Sequence, residues 1–117
     1  MTDKIKTGAD GEDQAADFLK QKGFVILERN YRFKKSEIDL IVRRGNWLVF
    51  IEVKTRTSTA FGHPEEFVDY QKRKMIFAGA LEYMTVKNWQ GNVRYDIVAI
   101  TIVHGKSEIH HIEDAFY

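Results

Sequence analysis

The first apolar pattern along the chain has the period of an α-helix. Its apolar positions fall on one helical face and are Ala15, Ala16, Phe18 and Leu19. Thr7 and Asp10 are the candidate amino-terminal caps, because both side chains accept hydrogen bonds from free backbone N–H groups. Gly23 follows closely after two lysines and is a typical helix stop. We therefore predict a first helix that ends just before Gly23.

A second helix is predicted in the second half of the chain. Pro64 suits its first position, because the fixed φ of proline fits a helix and the missing N–H is not needed there. Glu65 and Glu66 follow, and their negative charges favour the positive end of the helix dipole. We expect this helix to run to about Met84 or Lys87.

Five segments have the composition of β-strands, with many β-branched and aromatic residues. They are Phe24–Phe33, Glu37–Arg43, Trp47–Thr55, Arg94–Val103 and Glu108–Ile112. Gly45-Asn46 predicts a type II′ hairpin turn between the second and third strands, and His104-Gly105-Lys106 predicts the last turn. The order of elements fits an α/β or α+β arrangement and excludes a helical bundle. We predict an α/β domain with a mixed β-sheet of about five strands flanked by α-helices.

The composition narrows the class of protein. The chain has 117 residues, of which 44% are hydrophobic, 13% aromatic and 30% charged, with one proline and no cysteine. The length fits a single domain over residues 1–117, and the balance excludes disordered, collagen-like and coiled-coil proteins. Without cysteine there is no disulfide scaffold, thiolate zinc site or cysteine nucleophile. We find neither a membrane helix nor the apolar core of a signal peptide, so we expect a cytoplasmic protein.

Positive charge is concentrated in the middle third of the chain. Residues 29–56 carry eight basic and three acidic side chains, whereas both flanking segments have a net negative charge. The basic residues are Arg29, Arg32, Lys34, Lys35, Arg43, Arg44, Lys54 and Arg56. A positive segment favours contact with a polyanion such as nucleic acid, but a charged hairpin exposed to solvent explains the same residues.

The hairpin turn at Gly45-Asn46 sets the predicted pairing of the second and third strands. One face is wholly apolar and pairs Ile38 with Val53, Leu40 with Ile51 and Val42 with Val49. The opposite face places Asp39 directly across from Glu52, about 5 Å apart at Cβ. Like charges at that distance repel and resist ionisation unless a cation lies between them. The pair therefore destabilises the folded state, and its presence requires an explanation.

A divalent metal ion is one explanation of this acid pair. Magnesium prefers oxygen ligands and takes one or two carboxylates from the protein. Lys54 lies on the same strand face as Glu52. There its ammonium group can orient a water molecule or stabilise charge that develops on a phosphate, and its neutral amine can deprotonate the water. The alternative is a cross-strand network in which Lys54 and Arg56 neutralise the acids without any chemistry.

Two polar residues on the predicted helices extend this candidate site. Glu12 lies on the apolar stripe of the first helix, and a carboxylate facing a core is costly unless it is paired or binds metal. A partly exposed stripe edge is the alternative. Lys72 lies on the sheet-facing side of the second helix, although a lysine that extends from the helix edge to water explains it equally well. Gln71 beside it is compatible with a surface position.

Two sequence runs resemble a known family. They are SEIDLI (Ser36–Ile41) and VFIEVKTR (Val49–Arg56), which resemble the YraN family of small bacterial proteins and the wider restriction-endonuclease-like superfamily, PD-(D/E)xK, near the archaeal Holliday-junction resolvases. Further positions that fit are Gly11-Glu12, Asn30-Tyr31-Arg32, Phe61-Gly62, Lys72, Arg94-Tyr95-Asp96 and Ala115-Phe116. The resemblance covers nearly the whole chain.

The resemblance implies a restriction-endonuclease-like core and a Mg²⁺- or Mn²⁺-dependent endonuclease that acts on DNA, branched DNA included. By resemblance, Asp39 and Glu52 are the metal ligands, with the Val53 carbonyl as a third ligand. It makes Lys54 the catalytic lysine and Glu12 the helix-borne acid that completes the site.

The resemblance also implies contacts with nucleic acid. Lys72, together with Gln71, matches a basic position of the family on the second helix. The other candidate contacts are basic residues near the site, namely Arg32, Lys34, Lys35 and Arg56. The family usually has glycine where this chain has Ser36, so the backbone that enters the strand is expected to differ there.

Two other function classes remain open for this sequence. One is a nucleic-acid-binding module without catalysis, and the other is a protein–protein adaptor. A homodimer is compatible with resolvase-like chemistry, since one compact site cuts one strand, but the sequence identifies no dimer surface.

The remaining polar and aromatic candidates are interpreted as structural. His110 and His111 point to opposite faces of a strand, so with Glu113 they predict a polar carboxyl-terminal strand and not a metal site. Asp96 is interpreted as an ion-pair partner within the sheet or a support for the site. The two tryptophans, Trp47 and Trp89, are interpreted as packing residues and not as platforms for stacked bases.

Overall fold

The computed structural model describes residues 3–57 and 68–117, which form two helices and a five-stranded sheet. In chain order the elements are α1 (Asp3–Gln21), β1 (Val25–Phe33), β2 (Ser36–Arg44), β3 (Trp47–Arg56), α2 (Tyr70–Val86), β4 (Asn92–Val103) and β5 (Lys106–Ile112). The strands lie in sequence order across the sheet, and only β3 and β4 run parallel. The predicted mixed α/β architecture is confirmed. In the part of the chain described, no helix is long and apolar enough to cross a membrane.

The two ends of α1 differ from each other in how well the sequence predicts them. Gly23 has a φ of +94°, and its N–H donates to the Lys20 carbonyl at 3.0 Å while the Phe24 N–H donates to the Leu19 carbonyl at 3.0 Å. This pair of bonds is a Schellman motif, so the predicted stop is confirmed. The predicted caps Thr7 and Asp10 are wrong, because α1 begins at Asp3 and both residues lie inside it.

The second helix begins later than predicted. Asp69 has an extended backbone and its carboxylate accepts a hydrogen bond from the Lys72 N–H at 2.8 Å, which makes it the amino-terminal cap. Residues 68 and 69 are not helical, so a helix running on from Pro64 is wrong. Pro64, Glu65 and Glu66, together with the family positions Phe61-Gly62, lie outside the described residues.

Each face of the sheet carries one helix and one apolar core. The core on the α1 face is formed by Ala15, Ala16, Leu19, Phe24, Leu40, Val42, Val49, Ile51, Val98 and Ile100. The core on the α2 face is formed by Ile38, Ile41, Leu48, Phe50, Val68, Ile76, Ala80, Tyr83, Ile97 and Phe116. These two cores fix the positions of α1 and α2 on opposite faces of the same central strands.

The predicted hairpin register is confirmed from Arg44–Trp47 to Leu40–Ile51. Gly45 has a φ of +59° whereas Asn46 does not have a positive φ, as a type II′ turn requires. The last turn is tighter than predicted. His104 and Gly105 have φ values of +52° and +74°, and Lys106 already pairs with Val103, so the loop has two residues and not three.

Candidate functional site

Asp39 lies where β2 separates from β3. The last backbone pair of the hairpin is Leu40–Ile51, and beyond it the Asp39 Oδ2 accepts a hydrogen bond from the Val53 N–H at 2.8 Å. A side chain thus takes over the role of a backbone carbonyl. The alternation of β2 does not continue through this point, so the prediction that Ile38 packs with Leu40 is wrong. Ile38 lies in the core on the α2 face.

Glu52 is the centre of the polar group at this position. Only 5% of its side chain is exposed, although it carries a carboxylate. Lys72 from α2 contacts its Oε1 directly, and the Lys54 Nζ lies 3.7 Å from the same oxygen. A buried carboxylate is tolerated only with such partners. We call Asp39, Glu52, Lys54 and Lys72 the acid–lysine cluster.

The Asp39 carboxyl of this cluster resists ionisation. Burial first, and the neighbouring charge of Glu52 second, raise the pKa of Asp39 from 3.8 to about 7. The hydrogen bond from the Val53 N–H acts in the opposite direction but does not compensate. The predicted repulsion between Asp39 and Glu52 is therefore present, and a bound cation would relieve it.

The two lysines of the cluster differ in their tendency to be charged. Burial lowers the pKa of Lys54 below its usual value, and the hydrogen bond and charge of Lys72 lower it further. Burial alone would also lower the pKa of Lys72, but its hydrogen bond with Glu52 and the Glu52 charge raise that pKa above the usual value. Lys72 is thus the cation that neutralises Glu52, and Lys54 is the more easily deprotonated amine.

Glu12 reaches the edge of the cluster from α1. A Cβ added to Gly11 would overlap the Thr55 side chain, so glycine allows α1 to approach β3 closely. Glu12 is half-buried, accepts a hydrogen bond from the Asn30 amide at 3.3 Å, and its charge contributes to the raised pKa of Asp39. The prediction that Glu12 lies on the inward stripe of α1 is consistent with its half-buried side chain.

A cavity of about 490 Å³ opens beside the cluster, between the start of α2 and β2. Its polar lining residues are Lys35, Glu37, Asp39, Glu52, Asp69, Gln71 and Lys72. Pockets that bind ligands typically measure roughly 300–1,000 Å³. Lys54 and Glu12 do not line the cavity.

The predicted nucleic-acid contacts are divided between the cavity and its surroundings. Lys35 lines the cavity with Lys72. Lys34 lies beside Lys35 in the β1–β2 turn with a φ of +56°, and its Nζ is 5.3 Å from the Phe33 ring centre. Arg32 pairs with Glu37 at 3.1 Å and is largely exposed, whereas Arg56 is half-buried at the end of β3.

Two residues of this site, Asn30 and Asp69, were not identified as site residues from the sequence. Asn30 has a φ of +54°, lies between the residues of β1 that pair with Leu40 and Ile38, and donates to Glu12. Asn tolerates positive φ better than most residues, which is the available signal. Asp69 caps α2 and lines the cavity. Its signal was a capping residue type ahead of a helical pattern.

Ser36 replaces the glycine expected from the resemblance without backbone strain. Its φ is not positive, its side chain is buried, and its hydroxyl donates to the Met75 carbonyl at 2.6 Å. Gly79 accommodates it, because a Cβ there would lie 2.5 Å from the Ser36 hydroxyl. The serine therefore anchors the start of β2 to α2.

A second polar group lies on β4 and β5 and includes Asp96 and His111. Asp96 is fully buried and accepts hydrogen bonds from both Arg94 nitrogens at 2.9 Å, from the Asp114 N–H at 2.9 Å and from His111 at 2.7 Å. We call these residues the Asp96 network, and the prediction of a structural ion pair is confirmed. His110 is exposed, so the two histidines do point apart. Within residues 3–57 and 68–117, no three His, Cys, Asp or Glu side chains are grouped to hold a metal ion.

These features define an α/β domain with a buried acid–lysine cluster beside a charged cavity. The family described as uncharacterised protein family UPF0102 matches residues 11–100, and the chain belongs to this family. A UPF0102 protein of Rhodococcus opacus is 43% identical over 119 residues, which cover 99% of this chain and 100% of that protein. A UPF0102 protein of Flavobacterium psychrophilum is 40% identical over 100% of this chain and 98% of its own length. A third, from Thermodesulfovibrio yellowstonii, is 42% identical over 97% and 98%.

Proposed function

We propose that this protein is a divalent-metal-dependent endonuclease that hydrolyses phosphodiester bonds of nucleic acid, with DNA as the substrate class. The observation that carries the proposal is the acid–lysine cluster, in which two buried carboxylates lie together at the edge of a cavity. Such an arrangement costs stability, which a purely structural role does not require. The resemblance to PD-(D/E)xK nucleases, which implies the same roles for these residues, supports the proposal.

The donor set of the cluster fits a small, hard cation. Asp39 and Glu52 supply carboxylate oxygens, and Mg²⁺ commonly takes one or two of these and keeps several waters. The N–H and C=O of one extended residue point towards the same neighbouring strand, so the Val53 carbonyl points towards β2 on the same side as the N–H that Asp39 accepts. The bound Mg²⁺ or Mn²⁺ would polarise the phosphate and lower the pKa of a coordinated water.

The lysines have complementary roles in the proposed hydrolysis. The oxygen of a water molecule attacks the phosphorus, the bond from phosphorus to the leaving oxygen breaks, and the water loses a proton. Lys54 suits the role of acceptor, because its lowered pKa favours the neutral amine. Lys72 is the charged amine and suits contact with a phosphate oxygen. Glu12 adds a carboxylate to the polar surroundings of the metal.

One observation favours a second candidate function. Lys72 contacts Glu52 directly, so in this structure an ammonium group already neutralises the acid that the metal would bind. In a nucleic-acid-binding module without catalysis, this ion pair would be permanent. In a nuclease, Lys72 leaves Glu52 when the metal and the phosphate bind. A protein–protein adaptor has no comparable support.

Metal binding separates these two functions. We expect calorimetric titration with Mg²⁺ or Mn²⁺ to show binding to the native protein, and at least a tenfold loss of affinity in the Asp39→Asn, Glu52→Gln double variant. Glu37→Gln is the matched control, because Glu37 lines the same cavity but is exposed. If the native protein binds no metal, alone or with DNA present, the nuclease proposal is wrong and the binding module takes its place.

Cleavage tests the chemistry itself. Labelled branched, flapped and single-stranded DNA is incubated with the protein and either Mg²⁺ or EDTA. We expect cleavage only with the metal, and a decrease of about 10²–10⁴-fold in Lys54→Met, as for the loss of a general base. Light scattering on the protein alone tests whether it forms the homodimer that resolvase-like chemistry would require. A metal-binding protein that cleaves none of these substrates would contradict the enzymatic part of the proposal.

A further inference from the structure

A second cavity lies on the α2 face, at the opposite end of the helix from the acid–lysine cluster. It measures about 380 Å³, which is within the usual size range of ligand pockets. It is lined by Leu27, Glu28, Arg43, Leu48, Tyr83, Lys87 and Trp89. Aromatic rings, apolar side chains and two cationic groups thus meet in one concave surface, which the proposed catalytic site does not use.

The aromatic wall of this cavity is held in place by the end of α2. Asn88 has a φ of +52°, and the Trp89 N–H donates to the Met84 carbonyl at 2.9 Å, as in a Schellman motif. The Trp89 indole N–H donates to the Asn92 carbonyl at 3.0 Å, which fixes the ring orientation. Tyr83 is buried and contacts the rings of Tyr31 and Phe50 edge-on. A fixed aromatic surface loses little conformational freedom when a ligand stacks on it.

The cationic groups of this cavity lie at its aromatic wall. The Arg43 guanidinium carbon is 4.9 Å from the Trp89 ring centre, and its Nε–H donates to the Gly45 carbonyl at 2.9 Å. The Lys87 Nζ is 5.9 Å from the Tyr83 ring centre. Both residues are exposed, so an anion reaches them without rearrangement of the core. Glu28 supplies a carboxylate that can accept hydrogen bonds from the amino or imino groups of a base.

We propose that this second cavity binds an unpaired nucleotide of the nucleic-acid strand, with the base against the Trp89 ring and the phosphate at Arg43 and Lys87. This assigns Trp89 a stacking role that the sequence did not indicate. Stacking surfaces flanked by cations are the usual means by which proteins hold single strands without sequence preference. This inference rests on the proposed function, because it treats the cavity as part of a nucleic-acid-binding face.

The spacing of the two cavities fits a continuous strand. Residues 72 and 87 are separated by roughly 22 Å along α2, at 1.5 Å per residue. A strand of about six stacked nucleotides spans that distance, at roughly 3.4 Å each. The second cavity would therefore hold a substrate at a fixed number of nucleotides from the phosphate that is cleaved.

Tryptophan fluorescence tests the second cavity directly. The chain has two tryptophans, so Trp47→Phe leaves Trp89 as the only one. In EDTA, we expect a short oligothymidylate to quench Trp89, and an abasic oligomer of equal length to bind at least about tenfold more weakly. The absence of quenching, or equal binding of the abasic oligomer, would overturn the proposal.

The cations are tested in the same background. Arg43→Ala with Lys87→Ala is expected to lower the slope of log affinity against log salt concentration by about 1.4, at about 0.7 for each phosphate contact of a single strand. Lys106→Ala is the matched control, since Lys106 is exposed at the opposite edge of the sheet. An unchanged slope in the double variant, or an equal change in the control, would contradict the phosphate contacts.

These measurements can refute the second cavity without refuting the proposed catalytic function, and the reverse is also true. The quenching experiment contains no free metal and leaves Asp39 and Glu52 intact, whereas the metal titration contains no nucleic acid in its first stage. Loss of quenching with retained metal binding would therefore refute only the second cavity. Retained quenching without metal binding would refute the nuclease.

Discussion

The acid–lysine cluster and the Asp96 network are two buried polar groups that include residues of the neighbouring parallel strands β3 and β4. The pKa of an aspartate is raised in the first group and lowered in the second. Asp96 pairs in register with Ile51, the residue that precedes Glu52. Burial alone would raise the pKa of Asp96, but hydrogen bonds from His111, Arg94 and the Asp114 N–H lower it below its usual value. The pKa of Asp39 is instead raised to about 7, because one backbone N–H does not offset burial and the charge of Glu52.

The difference indicates which carboxylate the fold uses for its own stability. Asp96 has donors for both oxygens and is stable as an anion without any ligand. Asp39 has fewer hydrogen-bond donors than Asp96 and lies near a second acid. A bound cation would therefore stabilise the Asp39 anion more than the Asp96 anion. A carboxylate whose two oxygens both accept hydrogen bonds is typical of a structural role. A carboxylate that is repelled by a neighbouring acid is typical of a binding site.

The largest expected effect comes from removing the anion of the Asp96 network. Asp96→Ala leaves Arg94 and His111 without their shared partner in a buried position. We expect a loss of about 3–5 kcal/mol in the free energy of unfolding at neutral pH, as for a broken buried ion pair. Urea denaturation measures this loss, and a decrease below ~1 kcal/mol would contradict the structural role. The native contribution of Asp96 is present above pH 4 and is lost as the pH falls through its lowered folded pKa.

Removing the charge of Asp39 is expected to increase the free energy of unfolding at alkaline pH, whereas removing Asp96 decreases it. The folded pKa of Asp39 is raised, so its stabilising contribution is complete below pH 4 and is lost as the pH rises through about 7. Asp39→Asn keeps an oxygen acceptor for the Val53 N–H but cannot ionise. In EDTA we expect this variant to be more stable than the native protein by about 1–3 kcal/mol at pH 8, since one pKa unit corresponds to about 1.4 kcal/mol.

The control for this prediction is the same comparison of unfolding free energies at pH 4. At pH 4, where the native Asp39 is protonated in the folded state, the variant and the native protein should differ little in unfolding free energy. A variant that is less stable than the native protein at pH 8 would mean that Asp39 is satisfied in the folded state, and the comparison with Asp96 would fail.

The smallest effect is expected at the exposed rim of the Asp96 network. Glu113 lies 3.3 Å from Arg94 and 3.8 Å from Lys22, but its side chain is 49% exposed. Glu113→Gln should change the free energy of unfolding by no more than about 0.5 kcal/mol, because exposed pairs contribute little. The same urea titrations measure it. A loss as large as that of Asp96→Ala would mean that the network depends on charge at its rim and not on burial.

The sequence predicted the parts of the fold that depend on local patterns. The stop at Gly23 and the turn at Gly45 follow from positive φ angles that glycine adopts easily, and the hairpin register follows from that turn. Alternation along β3 placed Glu52 and Lys54 on one face, and the structure brings them within 3.7 Å.

The parts that the sequence did not predict depend on tertiary contacts. Strict alternation placed Ile38 on the wrong face, because the Asp39 side chain binds the Val53 N–H and β2 leaves its ladder there. The direct contact of Lys72 with Glu52 requires the position of α2 on the sheet, which no local pattern specifies. Proline is a frequent first residue of helices, but it does not identify the residue that caps α2, which is Asp69.

The parallel pairing of β3 with β4 has a consequence for the order in which the protein folds. Asp39, Glu52 and Lys54 belong to a hairpin of consecutive residues, which closes a short loop and forms quickly. Lys72 reaches Glu52 only when α2 has packed on the sheet, and the crossover that joins β3 to β4 forms more slowly than a hairpin. We therefore expect the acids to be brought together before Lys72 binds Glu52. We expect mutations in the β2–β3 turn to change mainly the folding rate and mutations in α2 mainly the unfolding rate.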